Sequence, residues 1–370
     1  MNSRSLNISP MISVSGQSKP TIRISEALRP FSDAAAWDRL LGRINPLWTV
    51  RGVRARVVDR IEESADTISL WLKPNRHWQE HQAGQHVLLG VEIEGVRRRR
   101  VFSISSAPRR DGLLRITLQR QRPGGVTEWL HTRARKGLIV GLEPAGGAFV
   151  LPDSVPARLL MIAGGTGITP LMAMLQQLAE DACTADIVLF QLYRRPDQRL
   201  FAGELAELAR RLPGLRIHTR CSAEHGRLSP PDLVSRVPEF ARQHTLLCGP
   251  EPLMADFSAA WTRLGLHTKL QTERFGAPRP VASNRAESRI HAIESEQVFT
   301  QASDLSLLES AEAAGLQPKF GCRAGLCRTC LCRKQSGHVR NLLTGLVSSQ
   351  PDEWVQLCVS VAESDLELSL

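Results

Sequence analysis

The chain has 370 residues, 42% of them hydrophobic and 23% charged, with a formal net charge of +10. This profile fits a globular protein of two or three domains and excludes a fibrous or largely disordered chain. The charge is uneven: from Ser288 onward seven Lys and Arg face ten Asp and Glu, which leaves 40 against 27 in residues 1–287, so a basic body carries an acidic module.

Residues 1–45 read as an N-terminal extension. Its first part is Ser-rich, with Arg4, Lys19 and Arg23 and no acid before Glu26. That composition suits a disordered tail and, secondarily, a transit peptide. The first twenty-four residues hold no apolar stretch of the secretory kind, so a reducing, cytoplasmic setting is expected. Ala34 to Leu41 predicts a short helix.

Over residues 46–154, apolar bursts of strand length at Thr67 to Leu72, His86 to Val91 and Leu113 to Gln119, separated by Gly and Pro, predict an antiparallel β-barrel. Residues 155–275 change character. Strand-like runs at Arg158 to Ala163, Asp186 to Tyr193, Leu215 to Arg220 and Thr245 to Cys248 alternate with helical stretches at Leu171 to Glu180, Gly203 to Arg211 and Leu253 to Leu264. Such alternation predicts a parallel α/β sheet. Leu159 to Leu175 is the most membrane-like stretch, but Gly164, Gly165, Gly167 and Pro170 interrupt it, so no transmembrane segment is expected. Residues 276–287, within the Pro-containing and weakly hydrophobic stretch from Phe275 to Ser288, have linker composition. A third module fills 288–370.

Of the eight cysteines, five crowd that module. Cys322, Cys327 and Cys330 stand as C-x4-C-x2-C, and Cys358 follows in the strand-like run Trp354 to Val361. Three thiolates on one loop and a fourth from a distant strand form the plant-type [2Fe–2S] spacing. Gly321, Ala324 and Gly325 let backbone amides approach the cluster's negative charge. A structural zinc site is the alternative, although zinc ligands usually come as two short C-x2-C pairs and only one exists here. Cys332 would face the same way as Cys330, yet the set of four is complete, so it reads as a small buried residue. With the helical LLESAEAAG stretch before the loop and the LCVSVAESDLELSL ending, residues 289–370 resemble a plant-type ferredoxin domain, which implies an α+β, β-grasp fold.

Further motifs appear in a fixed order. Arg100-Val101-Phe102-Ser103 resembles the R-x-Y-S-[ST] motif of the ferredoxin reductase superfamily. The resemblance implies that Arg100 neutralises a flavin phosphate, that Phe102 stacks on the ring in place of the usual Tyr, and that Ser103 reaches flavin N5. Pro123-Gly124-Gly125-Val126-Thr127 matches the family's second flavin motif, where amides and a hydroxyl at a helix start receive a pyrophosphate. Gly164 to Pro170 lacks the third glycine of the Rossmann fingerprint. It resembles this superfamily's nicotinamide-side motif, implying nucleotide contacts from Gly165, Thr166, Gly167 and Thr169. Cys248-Gly249-Pro250 resembles the C-G-P motif, which places Cys248 beside nicotinamide C4, and Glu273-Arg274-Phe275 resembles the E-x-F closing sequence.

The resemblance therefore implies a flavin reductase fused to a ferredoxin. Hydride would pass from NADPH to FAD beside Ser103 and Cys248, the presumed catalytic pair, and single electrons would go on to the cluster and then to a separate terminal oxygenase. The long N-terminal lead and INPLW favour a membrane di-iron fatty-acid desaturase as that partner, with a reductase for an aromatic-ring or alkane oxygenase as the alternative. Peripheral contact with a membrane partner, a monomeric state and no nucleic-acid binding complete the expectation. The reading from another class is a zinc-knuckle protein whose basic body binds nucleic acid. Arg220 and Arg227 resemble the basic residues that hold a 2′-phosphate, hence NADPH rather than NADH. Arg323, Arg328, Arg333 and Lys334 predict a positive surface at the cluster edge.

Overall fold

The computed structural model describes residues 34–121, 125–276, 280 and 287–370. It divides into two units, the described residues up to Arg51 and residues 52–370. In the first, α1 (Ala34–Ile44) runs three residues past the predicted Leu41. Gly42 does not stop it; Pro46 does, because proline lacks the next amide donor and disfavours helical geometry at the residue before it. The earlier N-terminal residues lie outside the described part.

The second unit begins with β1 (Val53–Ser64), β2 (Thr67–Pro74), β3 (His86–Ile93), β4 (Val96–Ser103), β5 (Leu114–Gln119) and β6 (Ile139–Leu142), with α2 (Val126–Arg133) between the last two. They pair antiparallel in the order β4-β3-β6-β1-β2-β5, and a bridge from Ile104 to Ile116 joins the two ends into a barrel. Alternate residues point inward, so Ile68, Leu70, Leu72, Val87, Leu89 and Ile116 are completely buried.

The parallel sheet follows: β7 (Arg158–Gly164), α3 (Ile168–Glu180), β8 (Asp186–Tyr193), α4 (Ala202–Arg211), β9 (Leu215–Cys221), α5 (Ser222–His225), α6 (Pro230–Arg236), β10 (His244–Cys248), α7 (Glu251–Arg263) and β11 (Leu270–Glu273). Two helices start earlier than expected, at Ile168 rather than Leu171 and at Glu251 rather than Leu253. In both, a proline sits inside the first turn, where its missing N–H would have had no helical partner anyway. The strand order β11-β10-β7-β8-β9 sends the chain one way from β7 and then back to its other side. Ligands of open α/β sheets bind at such a reversal, outside the carboxyl ends of the strands.

The last module holds β12 (Ser288–Ala292), β13 (Gln297–Gln301), α8 (Leu307–Ala313), β14 (Leu331–Ser336), β15 (Val339–Asn341), β16 (Val347–Ser348), β17 (Glu353–Gln356), β18 (Ser360–Ala362) and β19 (Leu366–Leu368). A mixed sheet, β13-β12-β19-β14-β17, packs against α8, whose start is fixed by a capping box between Ser306 and Glu309. The expected strand Trp354 to Val361 is broken. β17 pairs with β14 and β18 pairs with β15 in a second sheet, so the chain changes sheets through a single tight turn, Leu357–Val359, that carries Cys358. No helix among the described residues is long and apolar enough to cross a membrane.

Candidate functional site

At the strand reversal, β7 and β10 end side by side, with Cys248 in register with Ala163. The Gly164 to Gly167 turn follows one strand and Gly249-Pro250 the other. The two turns press together: a Cβ on Gly167 would stand 2.2 Å from the carbonyl oxygen of Cys248, so only glycine fits. The Thr169 hydroxyl donates to the Thr166 carbonyl at 2.8 Å and closes the turn. Outside lies a cavity of about 630 Å³ lined by Gly165, Thr166, Arg220 and Arg227, with Thr67 and Gln119 contributed by the barrel. Arg220 is not a loose cation. It donates to the Gly226 carbonyl at 2.9 Å and lies 3.5 Å from Asp232, so it also shapes the loop that presents Arg227.

At the ends of β4 and β11 the barrel and the parallel sheet meet at the Glu273 carboxylate. Ser103, buried at the end of β4, donates to Glu273 Oε2 at 3.0 Å, and His86 Nδ1 faces Glu273 Oε1 at 3.2 Å. Glu273 ends β11 in register with Cys248. Cys248 is completely buried, and burial together with the nearby Glu273 charge pushes its thiol well above the usual range. The expected pair, Ser103 and Cys248, is therefore gathered around a residue whose sequence signal was only the closing E-x-F pattern. Phe275, two residues on, is 47% exposed.

Arg100 donates to Gln121 at 3.2 Å, and the Gln121 amide donates to the Thr127 hydroxyl at 3.2 Å, which brings Arg100 to the start of α2, where Gly125 is the N-cap. An arginine, a hydroxyl and a helix N-terminus suit a phosphate. Gly124 and Pro123 lie outside the described residues. Phe102 is 8% exposed and packs with the barrel core.

A second residue had no local signal. Arg115 on β5 is 1% exposed and crosses from the barrel to α4 of the parallel-sheet module. Its guanidinium donates to Glu204 at 2.6 Å and, at 2.8 and 3.2 Å, to the Ser105 carbonyl, and lies 4.5 Å from the Phe201 ring centre.

In the last module the four expected ligands come as two facing pairs. The Cys330 and Cys358 sulfurs are 3.2 Å apart; hydrogen bonding within this pair draws Cys330 down to about 6 and pushes Cys358 up. Cys322 and Cys327 each donate a backbone N–H to the other's sulfur, at 3.1 and 3.3 Å, and the Ala324 amide donates to Cys322 at 3.4 Å. Among the described residues no three such donors converge on one point. Amides already aimed at sulfurs nevertheless suit an anionic iron–sulfur set. Gly321 is required, since a Cβ there would stand 2.6 Å from the Cys327 sulfur. Cys332 is buried, with burial raising its thiol to about 12, and its sulfur contacts the Ser369 carbonyl.

The expected positive rim is corrected in part. Arg323 pairs with Glu312 at 2.5 Å and Arg333 with Asp352 at 3.1 Å. Lys334 is completely buried, donating to the Gly337 and Gln350 carbonyls at 2.8 and 2.6 Å. Sequence proximity to the loop did not foresee these partners. Arg328 stays exposed on the loop as expected, and beside it the loop exposes Phe320 and Leu326, with Leu343 close to Gly325.

A barrel and a parallel sheet joined at a partly buried carboxylate, followed by a module whose four expected cysteines form two close pairs, define a reductase working between a pyridine nucleotide and an iron–sulfur centre. Residues 161–259 match the oxidoreductase NAD-binding domain family and residues 290–363 the 2Fe-2S iron-sulfur cluster binding domain family. The chain is 33% identical over 337 residues to an NADPH oxidoreductase of Mycobacterium tuberculosis, covering 90% of this chain and 88% of that protein. It is 28% identical over 316 residues to the glycine betaine monooxygenase reductase subunit of Chromohalobacter salexigens, covering 77% and 86%. Phthalate dioxygenase reductase, described as a modular structure for electron transfer from pyridine nucleotides to [2Fe–2S], matches in fold with a TM-score of 0.58 at 22% identity, covering 86% of this chain and 97% of that one. The chain belongs to the ferredoxin reductase superfamily, in the branch with a C-terminal plant-type [2Fe–2S] domain. It is an NAD(P)H-dependent flavin oxidoreductase.

Proposed function

We propose that this chain takes hydride from NADPH on FAD and passes single electrons through Cys322, Cys327, Cys330 and Cys358 to a separate iron-dependent oxygenase. When bound, the flavin supplies the exchange between two-electron and one-electron chemistry. The observation that carries the reading is the meeting of Ser103 from the barrel and Cys248 from the nucleotide module at Glu273. Ser103 there presents a hydroxyl at the flavin face, and buried Cys248 stays a neutral thiol that shapes the nicotinamide pocket without adding charge. Glu273 fixes the Ser103 rotamer. Arg100, Gly125 and Thr127, with Gly124, would hold the flavin phosphates; an arginine beside a glycine-led helix start favours FAD over FMN. Phe102 supplies the apolar wall and Phe275 the covering ring. Gly165, Thr166, Gly167, Thr169 and Gly249 would line the NADPH pyrophosphate path, with Arg220 and Arg227 at the 2′-phosphate.

The module boundaries 46–154, 155–275 and 288–370, joined by 276–287, belong to the same reading. An oxygenase-class acceptor is supported by the relative named as a monooxygenase reductase subunit. Within that class we place a fatty-acid desaturase first, on the N-terminal resemblance, and a cytoplasmic site of action. Two measurements test this. Arg220→Ala and Arg227→Ala should lower kcat/KM for NADPH far more than for NADH; equal losses would remove the 2′-phosphate assignment. Mixing the reduced protein with membranes carrying a candidate acyl desaturase should drive desaturation, and turnover only with a soluble ring-hydroxylating oxygenase would replace the desaturase by the alternative.

A further inference from the structure

The segment Ala34–Arg51 takes no part in the cofactor sites, yet it exposes several large apolar side chains within one short stretch. On α1, Trp37 (37% exposed), Leu40 (51%) and Ile44 (69%) are spaced at i, i+3 and i+7 and so lie along one helix face. Trp48 and Val50 follow, 50% and 39% exposed. A turn follows the helix and returns to it: Leu47 N–H donates to Asn45 Oδ1 at 3.0 Å and Trp48 N–H to the Asn45 carbonyl at 2.8 Å, and Val50 N–H donates to Asp38 Oδ1 on the helix at 2.6 Å. These bonds fold the segment into one compact element. Its charges are Arg39, Arg43 and Arg51 against Asp38 alone, and the Asp38 carboxylate already accepts a backbone amide.

Three kinds of occupant could cover such a face. A second copy would set Arg43 and Arg51 against their own counterparts, which like charge opposes. A protein groove accounts for the apolar row but not for tryptophans at both of its ends. A bilayer accounts for both, since tryptophan favours the headgroup boundary and basic flanks favour anionic lipid. At about 1.5 Å per residue the 11-residue helix is about 16 Å long, too short for a hydrocarbon core of about 30 Å, so it would lie along the surface rather than cross it.

We propose that Ala34–Arg51 is a membrane-surface anchor, with Trp37, Leu40 and Ile44 at the acyl boundary, Trp48 at headgroup level, and Arg43 and Arg51 against lipid phosphates. The proposal rests on none of the cofactor assignments. The test is sedimentation of the full-length protein with phosphatidylcholine vesicles, with and without phosphatidylglycerol. Wild type should bind the anionic vesicles. The double variant Leu40→Glu, Ile44→Glu should bind them roughly tenfold more weakly or worse, and Arg43→Glu, Arg51→Glu should lose the preference for anionic lipid. NADPH-driven reduction of ferricyanide should match wild type in both variants, which shows that they are folded. Should Leu40→Glu, Ile44→Glu lower that turnover, Trp48→Ser provides the same comparison from the segment after the helix. The anchor is overturned if wild type stays in the supernatant with both vesicle types, if the apolar double variant sediments like wild type, or if wild type forms a dimer that this variant dissolves without any vesicle binding.

Discussion

Arg115→Met should loosen the seam between the barrel and the parallel-sheet module. Methionine retains most of the buried stem but removes every guanidinium hydrogen bond. Glu204 is 43% exposed, so water largely replaces what it loses, and this ion pair contributes little to the total. The larger loss falls on the Ser105 carbonyl, in a completely buried residue, which gives up the donors at 2.8 and 3.2 Å. An orphaned buried acceptor costs about 1–3 kcal/mol, and the lost contact with the Phe201 ring adds about 0.5–2 kcal/mol. At about 2–4 °C per kcal/mol, a total of about 1.5–5 kcal/mol lowers the unfolding midpoint by roughly 3–20 °C. Because Ser103 and Cys248 come from opposite sides of this seam, flavin reduction by NADPH in rapid mixing should slow as well. Differential scanning calorimetry and stopped-flow absorbance read the two effects. A variant with the wild-type midpoint and the wild-type rate would refute the assignment of Arg115 as the seam's buried tie.

Three further outcomes are expected. Cys358→Ser should abolish the visible absorption of the cluster, whereas Cys332→Ala, removing a buried thiol outside the ligand set, should leave that spectrum intact; loss of the spectrum in both would change the ligand assignment. His81 is 4% exposed, with Nε2 3.0 Å from the Ser106 carbonyl, and burial holds its pKa below the usual 6.5. The neutral ring is thus favoured in the fold, so its contribution is present above pH 6.5 and is lost as pH falls through the lowered value; His81→Gln should flatten that part of the melting profile measured from pH 7 to 5, and an unchanged slope would count against it. Since Arg323 and Arg333 are held in ion pairs, leaving Arg328 as the exposed loop arginine beside exposed Leu326, electron delivery to the partner should fall only weakly with added salt, while Leu326→Asp should slow it; a steep fall with salt would restore an electrostatic rim.

The sequence made the modules legible because barrel strands, parallel strands and cysteine spacing each leave a local period. The glycine turn at 164–167 and the C-G-P turn were visible as motifs, and the structure places them against each other as β7 and β10 end. What spacing did not reveal were partners chosen across the fold. Glu273 meets Ser103 from 170 residues away. Arg115 looks like any strand arginine until Glu204 and Ser105 surround it. Lys334 follows the cysteine loop in sequence, yet β-strand alternation turns it inward onto backbone carbonyls. Proline has the opposite effect: the helical stretches read from Leu171 and Leu253 begin just after Pro170 and Pro252, whereas both prolines sit in first turns. The residues around Cys358 read as one strand, whereas Cys358 sits in the turn between two, because the change of sheet that positions it depends on pairings with β14 and β15, which no window around residue 358 contains.

Anaerobic reduction of the purified chain by NADPH, followed by visible absorbance and electron paramagnetic resonance, tests the central claim most directly. Flavin bleaching should come first, and the signal of a reduced [2Fe–2S] cluster should follow in the same molecule. Flavin reduction with a cluster that stays oxidised, or a colourless protein holding zinc, would contradict the electron path from nucleotide to flavin to the four cysteines.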